Sequence, residues 1–283
     1  MTQIIPKLEA TTVILIVAST KDTASVNITQ KLISLYDFEK TQEGFQQNLI
    51  YSKMLSDKEV KLVYLNEETI WAQYITDHFS PELIIFVSRH SGTAGIPTLS
   101  VHAPGNLGNA ELGGIPKRVS VCPASAMKNA LLTLAKIRTE KSLPYQVSYE
   151  CTHHGPSLDT PTMFVELGSS AEQWKDSQAA EAVAHAAMAA ITQKIKYPVV
   201  LGVGGPHYSE RFTKIALTTD RAFGHIMSKY AVPSVDAEMV KHCVQRTMEK
   251  VESAVLDWKS MRTSDRQKVI SALEQLNIPV ERT

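Results

Sequence analysis

Residues 83–97 read LIIFVSRHSGTAGIP, and this stretch indicates how the chain folds. The run Leu83–Ser88 is short, rich in β-branched residues and almost continuously apolar, which is the pattern of a strand buried on both faces. It ends in Arg89 and His90 and then enters a loop of small residues. Similar runs predict further strands at Thr12–Ala18, Lys61–Leu65, Thr98–His102, Arg118–Val121, Gln146–Tyr149, Thr162–Leu167, Val199–Val203 and Lys214–Thr218.

Helical patterns lie between these predicted strands. Pro123 fits the first turn of a helix that runs to about Lys141, and Ser170 fits the N-cap of an Ala-rich helix that reaches about Lys194. Further helices are predicted at Glu67–Phe79, Asp236–Ser260 and Ser264–Leu276. Alternating strands and helices predict an α/β fold, a three-layer sandwich with a mostly parallel or mixed central sheet. Because no linker or repeat divides the 283 residues, we expect one domain with a helical C-terminal part.

Composition excludes several classes of protein. The chain has 29 Lys and Arg against 29 Asp and Glu, and 43% of its residues are hydrophobic, so it is not intrinsically disordered. The apolar run Val13–Ala18 is far shorter than the roughly 20 residues that span a bilayer, and we expect a cytoplasmic protein without a membrane partner. The 3 cysteines show no CxxC spacing, so any metal would be held by histidines and carboxylates.

Six of the 9 histidines lie outside the predicted helices and within a few residues of Gly or Pro, mostly where a predicted strand has just ended. In an open α/β sheet, the loops beyond the carboxyl ends of the strands form the ligand crevice. We therefore expect these histidines to converge. They are His90, His102, His153, His154, His207 and His225.

The segment Tyr149–Pro156, YECTHHGP, carries the strongest signal. If its strand continues through His154, the two-residue period places Glu150 on the same face as His154, with His153 on the other face. Neutral imidazole is the commonest protein ligand of zinc, and a nearby carboxylate completes the site or orients a histidine. A nucleophilic Cys151 is disfavoured, because it would lie opposite Glu150.

Glu166 and two glycine loops complete the candidate site. A carboxylate at the end of an apolar strand either binds a cation or pairs with a basic side chain. Glycine loops let the backbone approach a ligand closely. The predicted substrate-binding residues are Ser91, Gly92, Gly95, Gly204, Gly205 and Arg211. No GxGxxG, GxxxxGK[ST] or GxSxG pattern occurs, so nothing indicates a dinucleotide site, a P-loop or a serine-hydrolase elbow.

Five ordered motifs together resemble one family across nearly the whole chain. They are SRHSGTAG at Ser88–Gly95, VHAPGN at Val101–Asn106, ECTHHGP at Glu150–Pro156, FVELGS at Phe164–Ser169 and GGPHY at Gly204–Tyr208. The sequence resembles the archaeal and plant type of D-aminoacyl-tRNA deacylase. The resemblance implies a zinc-dependent enzyme that hydrolyses the ester between a D-amino acid and the tRNA 3′ end. It also implies a core similar to those of peptidyl-tRNA hydrolases and nucleoside phosphorylases.

The roles of individual residues follow from the sequence pattern. We predict that His154, Glu166 and His207 bind zinc. His90 or His153 would complete the shell or act as base, and Glu150 would orient a histidine. His102 and His225 are possible additional site residues, and the candidates for phosphate contacts to the tRNA acceptor end are Lys117, Arg118, Lys128, Arg211 and Lys214. We expect a monomer or a small homo-oligomer.

Two other classes of function remain open. A zinc-dependent aminopeptidase or amidohydrolase acting on small substrates would use the same histidines and carboxylates without needing a basic surface. A metal-free, phosphorylase-like binding protein would use the glycine loops and the helix start at Ser170 to hold an anion.

Overall fold

The computed structural model describes residues 12–92 and 95–283, so Thr93 and Ala94 of the predicted substrate loop lie outside the described residues. Its strands are β1 Thr12–Ser19, β2 Glu39–Phe45, β3 Asn48–Leu55, β4 Lys58–Leu65, β5 Leu83–Arg89, β6 Thr98–His102, β7 Gly105–Asn106, β8 Arg118–Val119, β9 Gln146–Tyr149, β10 Thr162–Gly168, β11 Val199–Val203, β12 Ala222–Met227, β13 Val251–Leu256 and β14 Val280–Arg282. Its α-helices are α1 Thr23–Tyr36, α2 Ile75–His78, α3 Ala124–Glu140, α4 Ser177–Thr192, α5 Glu210–Thr218, α6 Ala237–Gln245 and α7 Thr263–Gln275.

The main sheet has 8 strands in the order β2-β3-β4-β1-β5-β10-β6-β9. Strands β4, β1, β5 and β10 are mutually parallel, whereas β6 pairs antiparallel with β10 and parallel with β9. A hairpin of β2 and β3 adds to the other edge through antiparallel pairing. This confirms the predicted α/β class with a large mixed central sheet flanked by helices, consistent with a three-layer sandwich.

Strand β1 shows why continuous apolar runs predicted the sheet. Its alternate residues Ile14 and Ile16 belong to the core that also includes side chains of α1, α3 and α4. Leu15 and Val17 belong to a second core on the opposite face of the sheet. A strand that is covered on both faces needs an apolar side chain at every position, so it shows no polar alternation.

The C-terminal part is not purely helical as predicted. It contains a second sheet of 4 parallel strands in the order β12-β11-β13-β14. The helix predicted over Asp236–Ser260 ends at Gln245, and Val251–Leu256 forms the buried strand β13. Conversely, the strand predicted at Lys214–Thr218 is the end of helix α5. Short apolar runs do not distinguish a strand from one face of a helix, which explains both errors.

Two predicted helix starts also shift. Over Glu67–Phe79 the chain forms a 3-10 turn at Thr69–Trp71 and the single-turn helix α2. Helix α4 begins after Asp176 rather than Ser170, because the Asp176 carboxylate accepts hydrogen bonds from the N–H groups of Gln178 and Ala179. Among the described residues, none of the helices has both the length and the hydrophobicity needed to cross a bilayer.

Helix α3 connects the two sheets. It packs against α4, contacts β6 and β9 of the main sheet, and contacts β12 of the smaller sheet. Lys128 of α3 is buried, and its Nζ donates to the carbonyl oxygens of Thr219 and Arg221 beyond the end of α5. This lysine therefore fixes the smaller sheet and its helix in place and is not available for the predicted phosphate contact.

Candidate active site

The candidate site begins on one face of β5 and β10. Side chains two residues apart along a strand share a face, so Phe86, Ser88 and His90 lie on the same side of β5. Parallel pairing sets Phe164 beside Phe86 and Glu166 beside Ser88. The two phenyl rings stack with their centroids 4.7 Å apart, and Ser88 Oγ donates to Glu166 Oε1 at 2.7 Å. An apolar layer thus passes directly into a polar one.

Strands β6 and β9 extend this polar layer. His102 lies opposite Phe164 and stacks on it with the ring centroids 5.1 Å apart, and Glu150 follows the last residue of β9. His90, Glu150 and His207 follow the carboxyl ends of β5, β9 and β11, which is where the sequence predicted a ligand crevice. Glu166 joins them from a face of β10.

Glu150 is the centre of the hydrogen-bonded network. Its carboxylate is buried, and its Oε2 lies 2.7 Å from His207 Nε2 and 3.7 Å from His153 Nε2. Its Oε1 lies 3.1 Å from His90 Nδ1. The loop after β11 supplies His207 and makes an isolated β-bridge between Tyr208 and Glu150. Glu150 therefore joins histidines from three separate parts of the chain.

Glu166 pairs with histidines. The sequence had left open whether this carboxylate binds a cation or pairs with a basic side chain. Its Oε2 lies 3.4 Å from His90 Nδ1 and 3.7 Å from His102 Nε2. Within the described ranges it has no lysine or arginine partner, so the buried carboxylate depends on imidazoles for compensation.

His153 and His154 are oriented by the backbone beside them. His153 Nδ1 lies 2.8 Å from the carbonyl oxygen of Cys151, and His154 Nδ1 lies 2.7 Å from that of Gly155. Since a carbonyl oxygen only accepts, each Nδ1 carries the proton and each Nε2 is left with a free lone pair. His154 also adopts a φ of +41°, which an L-residue holds only when its surroundings impose it.

The network separates the histidines into two electrostatic classes. Burial opposes charge on His90, but hydrogen bonds to Glu150 and Glu166 raise its pKa to about 11. Burial also opposes charge on His207, while contacts with Cys151 and Glu150 raise its pKa to about 10. These two imidazoles therefore hold protons at neutral pH.

The two adjacent histidines behave in the opposite way. Burial, with the neighbouring His102, lowers the pKa of His154 to about 4. Burial and its histidine neighbours hold the pKa of His153 well below the usual value. The pKa values of Glu150 and Glu166 stay well below normal, because their histidine partners outweigh the effect of burial. The site therefore combines neutral imidazoles with ionised carboxylates.

Among the described residues, three groups of side chains could each hold a metal ion, because the ligand atoms within each group lie within 4.8 Å of one another. They are His102 with His153 and His154, Cys151 with His153 and His207, and His90 with Glu150 and Glu166. The predicted ligands His154, Glu166 and His207 fall into three different groups. The structure thus places them in one pocket but not around one point.

The predicted substrate residues lie unevenly around this pocket. A Cβ on Gly92 would lie 2.7 Å from Tyr208 Oη and 3.2 Å from His90 Nε2, so Gly92 lines the site. Ser91 beside it is exposed. Gly95 has a φ of +62°, its N–H donates to the carbonyl oxygen of Gly92 at 3.0 Å, and a Cβ added there would meet no described atom within 4 Å.

The second glycine loop shapes the approach to His207. Gly204 and Gly205 have φ values of +97° and +78°, a conformation in which L side chains are strained. Arg211 follows in α5, where its Nε lies 3.4 Å from a carboxylate oxygen of Asp257. This ion pair already engages the guanidinium that the sequence assigned to substrate binding.

Sequence reasoning missed Tyr208 and Ser88 and disfavoured Cys151. Tyr208 Oη shares a 2.5 Å hydrogen bond with His90 Nε2. Cys151 Sγ lies 3.4 Å from His207 Nδ1, on the same side of the chain as the histidine network. Ser88 could have been found from its position two residues before His90, but the contacts of Tyr208 and Cys151 depend on the smaller sheet.

His225 lies outside this network. It is fully buried in β12, where its Nδ1 lies 3.0 Å from Thr152 Oγ1 and its Nε2 lies 3.1 Å from the carbonyl oxygen of Ser120. The Nε2 is also 3.3 Å from the carbonyl oxygen of Arg246. The proton is on Nε2, Thr152 donates to Nδ1, and burial lowers the pKa of His225 to about 3. The predicted additional site residue is thus a neutral histidine within the protein interior.

Replacing His225 with Ala is expected to destabilise the fold by about 2–4 kcal/mol at pH 7, because Thr152 and two buried carbonyls lose their partner. In the wild type, the unfolded chain protonates this histidine below about pH 6.5 while the folded chain does not. The free energy of unfolding therefore decreases as the pH is lowered. From pH 7 to pH 5 the wild type loses about 2 kcal/mol of unfolding free energy for this reason, and the variant, which lacks the histidine, does not. Urea denaturation at both pH values should therefore show a smaller stability difference at pH 5, and an unchanged difference would contradict the assignment.

Comparison with known proteins bears on this site. The model of a family described as D-aminoacyl-tRNA deacylase matches residues 77–281, a range that contains every residue of the histidine and carboxylate network. The chain belongs to the D-aminoacyl-tRNA deacylase family. The family resemblance inferred from the five sequence motifs is thereby confirmed.

Relatives in this family cover most of the chain. A D-aminoacyl-tRNA deacylase of Pyrococcus furiosus is 38% identical over 89% of this chain and 93% of its own length. That of Methanosarcina mazei is 35% identical over 99% of this chain and 95% of its own. The crystal structure of a conserved protein of unknown function matches with a TM-score of 0.85 and 34% identity, over 96% of this chain and 95% of the other. The relatives are of the archaeal type, and the fold is shared over most of the chain.

Proposed function

We propose that this chain hydrolyses the ester bond between a D-amino acid and the 3′ end of tRNA, releasing free tRNA and the D-amino acid. Its family membership supports this reaction. The observation that carries it is the pocket in which Glu150 and Glu166 contact histidines from both sheets. Ester hydrolysis requires groups that take a proton from water and return one to the leaving oxygen, and this pocket holds both proton donors and proton acceptors.

The donor set of the pocket fits a zinc ion. His102 is completely buried, and in the part of the chain that the structure describes neither of its ring nitrogens has a hydrogen-bond partner. His153 and His154 present unprotonated Nε2 atoms, and their Nδ1 atoms donate to carbonyl oxygens, the usual outer contact of a zinc-binding histidine. We propose these three histidines as the ligands, in place of the set that combined His154 with Glu166 and His207.

When bound, zinc would act as a Lewis acid toward the ester carbonyl. The surrounding residues would carry the proton. Glu150 is ionised and keeps His207, whose Nε2 lies 2.7 Å away, protonated, so Glu150 would take a proton from the attacking water and His207 would give one to the leaving ribose oxygen. His90, between both carboxylates and Tyr208, would hold Glu150 and Glu166 in place. A side chain at position 92 would press on Tyr208 and His90, so Gly92 would keep the space beside them free for the substrate, whose configuration would be read by the shape of the site.

Purified protein is expected to release tyrosine from D-tyrosyl-tRNA and to leave L-tyrosyl-tRNA intact. Chelation should abolish the reaction, and added zinc should restore it, because ester polarisation depends on the metal. Acid-quenched release of radiolabelled tyrosine measures both substrates in parallel. Elemental analysis of the same preparation reports zinc independently of activity.

The outcomes separate the alternatives. Hydrolysis of both ester configurations, or of a dipeptide or amino-acid amide, would favour a zinc aminopeptidase or amidohydrolase. Activity that survives chelation and is lost in Cys151→Ala would instead favour attack by the thiol that contacts His207. Well-folded protein that contains no zinc and hydrolyses none of these substrates would favour a binding protein.

A further inference from the structure

An exposed apolar surface lies beside the site. It consists of Trp71, Leu112 and Ile115, whose exposed fractions are 47%, 57% and 36%. We call it the rim patch. The two segments that supply it are separated by 40 residues of sequence and meet at Gly113, where a Cβ would lie 3.3 Å from Trp71 Cε3.

The rim patch is connected directly to the histidine pair. The N–H of Gly155 donates to the carbonyl oxygen of Leu112 at 2.9 Å. A Cβ on Gly155 would lie 2.4 Å from the carbonyl carbon of Gly113 and 2.7 Å from the carbonyl oxygen of Ile70. The backbones of the patch and of the residue after His154 are therefore in van der Waals contact.

Hydrogen bonds hold the patch in position. The Gln73 amide donates to the carbonyl oxygen of Ser157 at 2.9 Å and accepts from its N–H at 2.8 Å. Asn106 Nδ2 donates to the carbonyl oxygen of Gly113 at 2.8 Å. Trp71 is thus presented to solvent from a fixed backbone, although a large apolar side chain normally gains from burial.

Phosphate contacts are poorly supported in the same region. Lys117 pairs with Asp236, Arg118 pairs with Asp159 through two contacts, and Arg211 pairs with Asp257. Lys128 is internal and the chain has no net charge, so Lys214 is the one exposed side chain of the five candidates left without a described ion pair. A protein that offers few unpaired cations to a polyanion gains affinity from other contacts at the acceptor end. Flat exposed aromatic side chains supply such contacts by stacking on bases.

We propose that Trp71, flanked by Leu112, stacks on the terminal adenine of the tRNA acceptor end. This inference rests on the proposed deacylase function. Every tRNA ends in adenosine, and its ribose carries the scissile ester, so the base must bind within a few ångströms of the reacting carbonyl. The side chain of the D-amino acid varies between substrates, whereas the adenine is common to all of them. A fixed aromatic surface suits the constant group.

The test compares Trp71→Ala and Trp71→Phe with wild type on D-tyrosyl-tRNA, the D-tyrosyl ester of adenosine and D-tyrosine ethyl ester. Trp71→Ala is expected to raise KM about tenfold for the two adenosine-bearing substrates, with kcat within about twofold. Trp71→Phe should retain most of the affinity. The ethyl ester has no base to stack, so its kcat/KM should not change. Met54→Ala, which removes another exposed apolar side chain on β3, is the matched control.

Wild-type KM values in Trp71→Ala would overturn the inference while leaving the deacylase function intact, whereas an inactive wild type would refute the function itself. An equal loss on the ethyl ester would assign Trp71 to the amino-acid side chain and also overturn it. If light scattering showed a smaller assembly for Trp71→Ala with KM unchanged for the adenosyl ester, the rim patch would be a subunit contact instead. Leu112→Ala provides a second variant with a smaller expected rise in KM.

Discussion

Replacing Glu150 with Gln is expected to lower kcat/KM for D-tyrosyl-tRNA by at least about a thousandfold. The buried carboxylate contacts His207 Nε2 at 2.7 Å and His90 Nδ1 at 3.1 Å, and its charge keeps both imidazoles protonated. Gln preserves the shape but removes the charge, so the pKa values of both histidines fall and the proton relay is lost. Steady-state kinetics on both tyrosyl-tRNA configurations measure the effect, and circular dichroism checks the fold.

Glu281→Gln is the matched control for this variant. Glu281 is also a carboxylate paired with a cation, Arg221, but it lies in β14 away from the site. We expect wild-type activity from it. Near-normal deacylation by Glu150→Gln would show that the carboxylate only supports the structure and would remove Glu150 from the proposed chemistry.

Replacing His154 with Ala is expected to remove most of the bound zinc and to reduce activity by at least about a hundredfold. His154 belongs with His102 and His153 to one group of ligand atoms that lie within 4.8 Å of one another. Loss of one of three ligands leaves too few donors to hold the ion. Elemental analysis gives the zinc content, and activity is measured with and without added zinc.

His185→Ala controls for the loss of an imidazole. His185 lies in α4, where it contacts the Tyr36 hydroxyl at 2.5 Å and has no contact with the site. It should retain full zinc content and activity. Full zinc content in a folded His154→Ala protein would exclude His154 as a ligand. The candidate ligands would then be the groups that contain Glu150 and Cys151.

The strands that carry the site could be predicted because each is buried on both faces. Continuous apolar residues in β1, β5 and β10, many of them β-branched, favour buried strands, and the polar residues at their ends therefore stand out. The histidines and glutamates of the network were identified in this way, since a buried polar side chain needs a partner or a ligand.

The arrangement of these residues could not be predicted in the same way. Strands β6 and β10 pair antiparallel although residues 103–161 separate them, and so distant a pairing leaves no local sequence signal. His225 has the same local pattern as His207, yet the former bonds to Thr152 inside the protein and the latter to Glu150 in the pocket. The short runs at Lys214–Thr218 and Val251–Leu256 were misassigned because five or six residues are compatible with either period.

By itself, the amino-acid sequence determined the class of fold, the family and the residue types available for chemistry, because burial periodicity and ordered motifs are local properties of the chain. Tertiary structure decided which histidines meet. Strand direction and cross-strand register place His207 on Glu150 and leave the ring nitrogens of His102 without a hydrogen-bond partner among the described residues. They also expose Trp71 next to Gly113, whose backbone contacts that of Gly155. These contacts join residues far apart in sequence, and their distances follow only from how the two sheets pack.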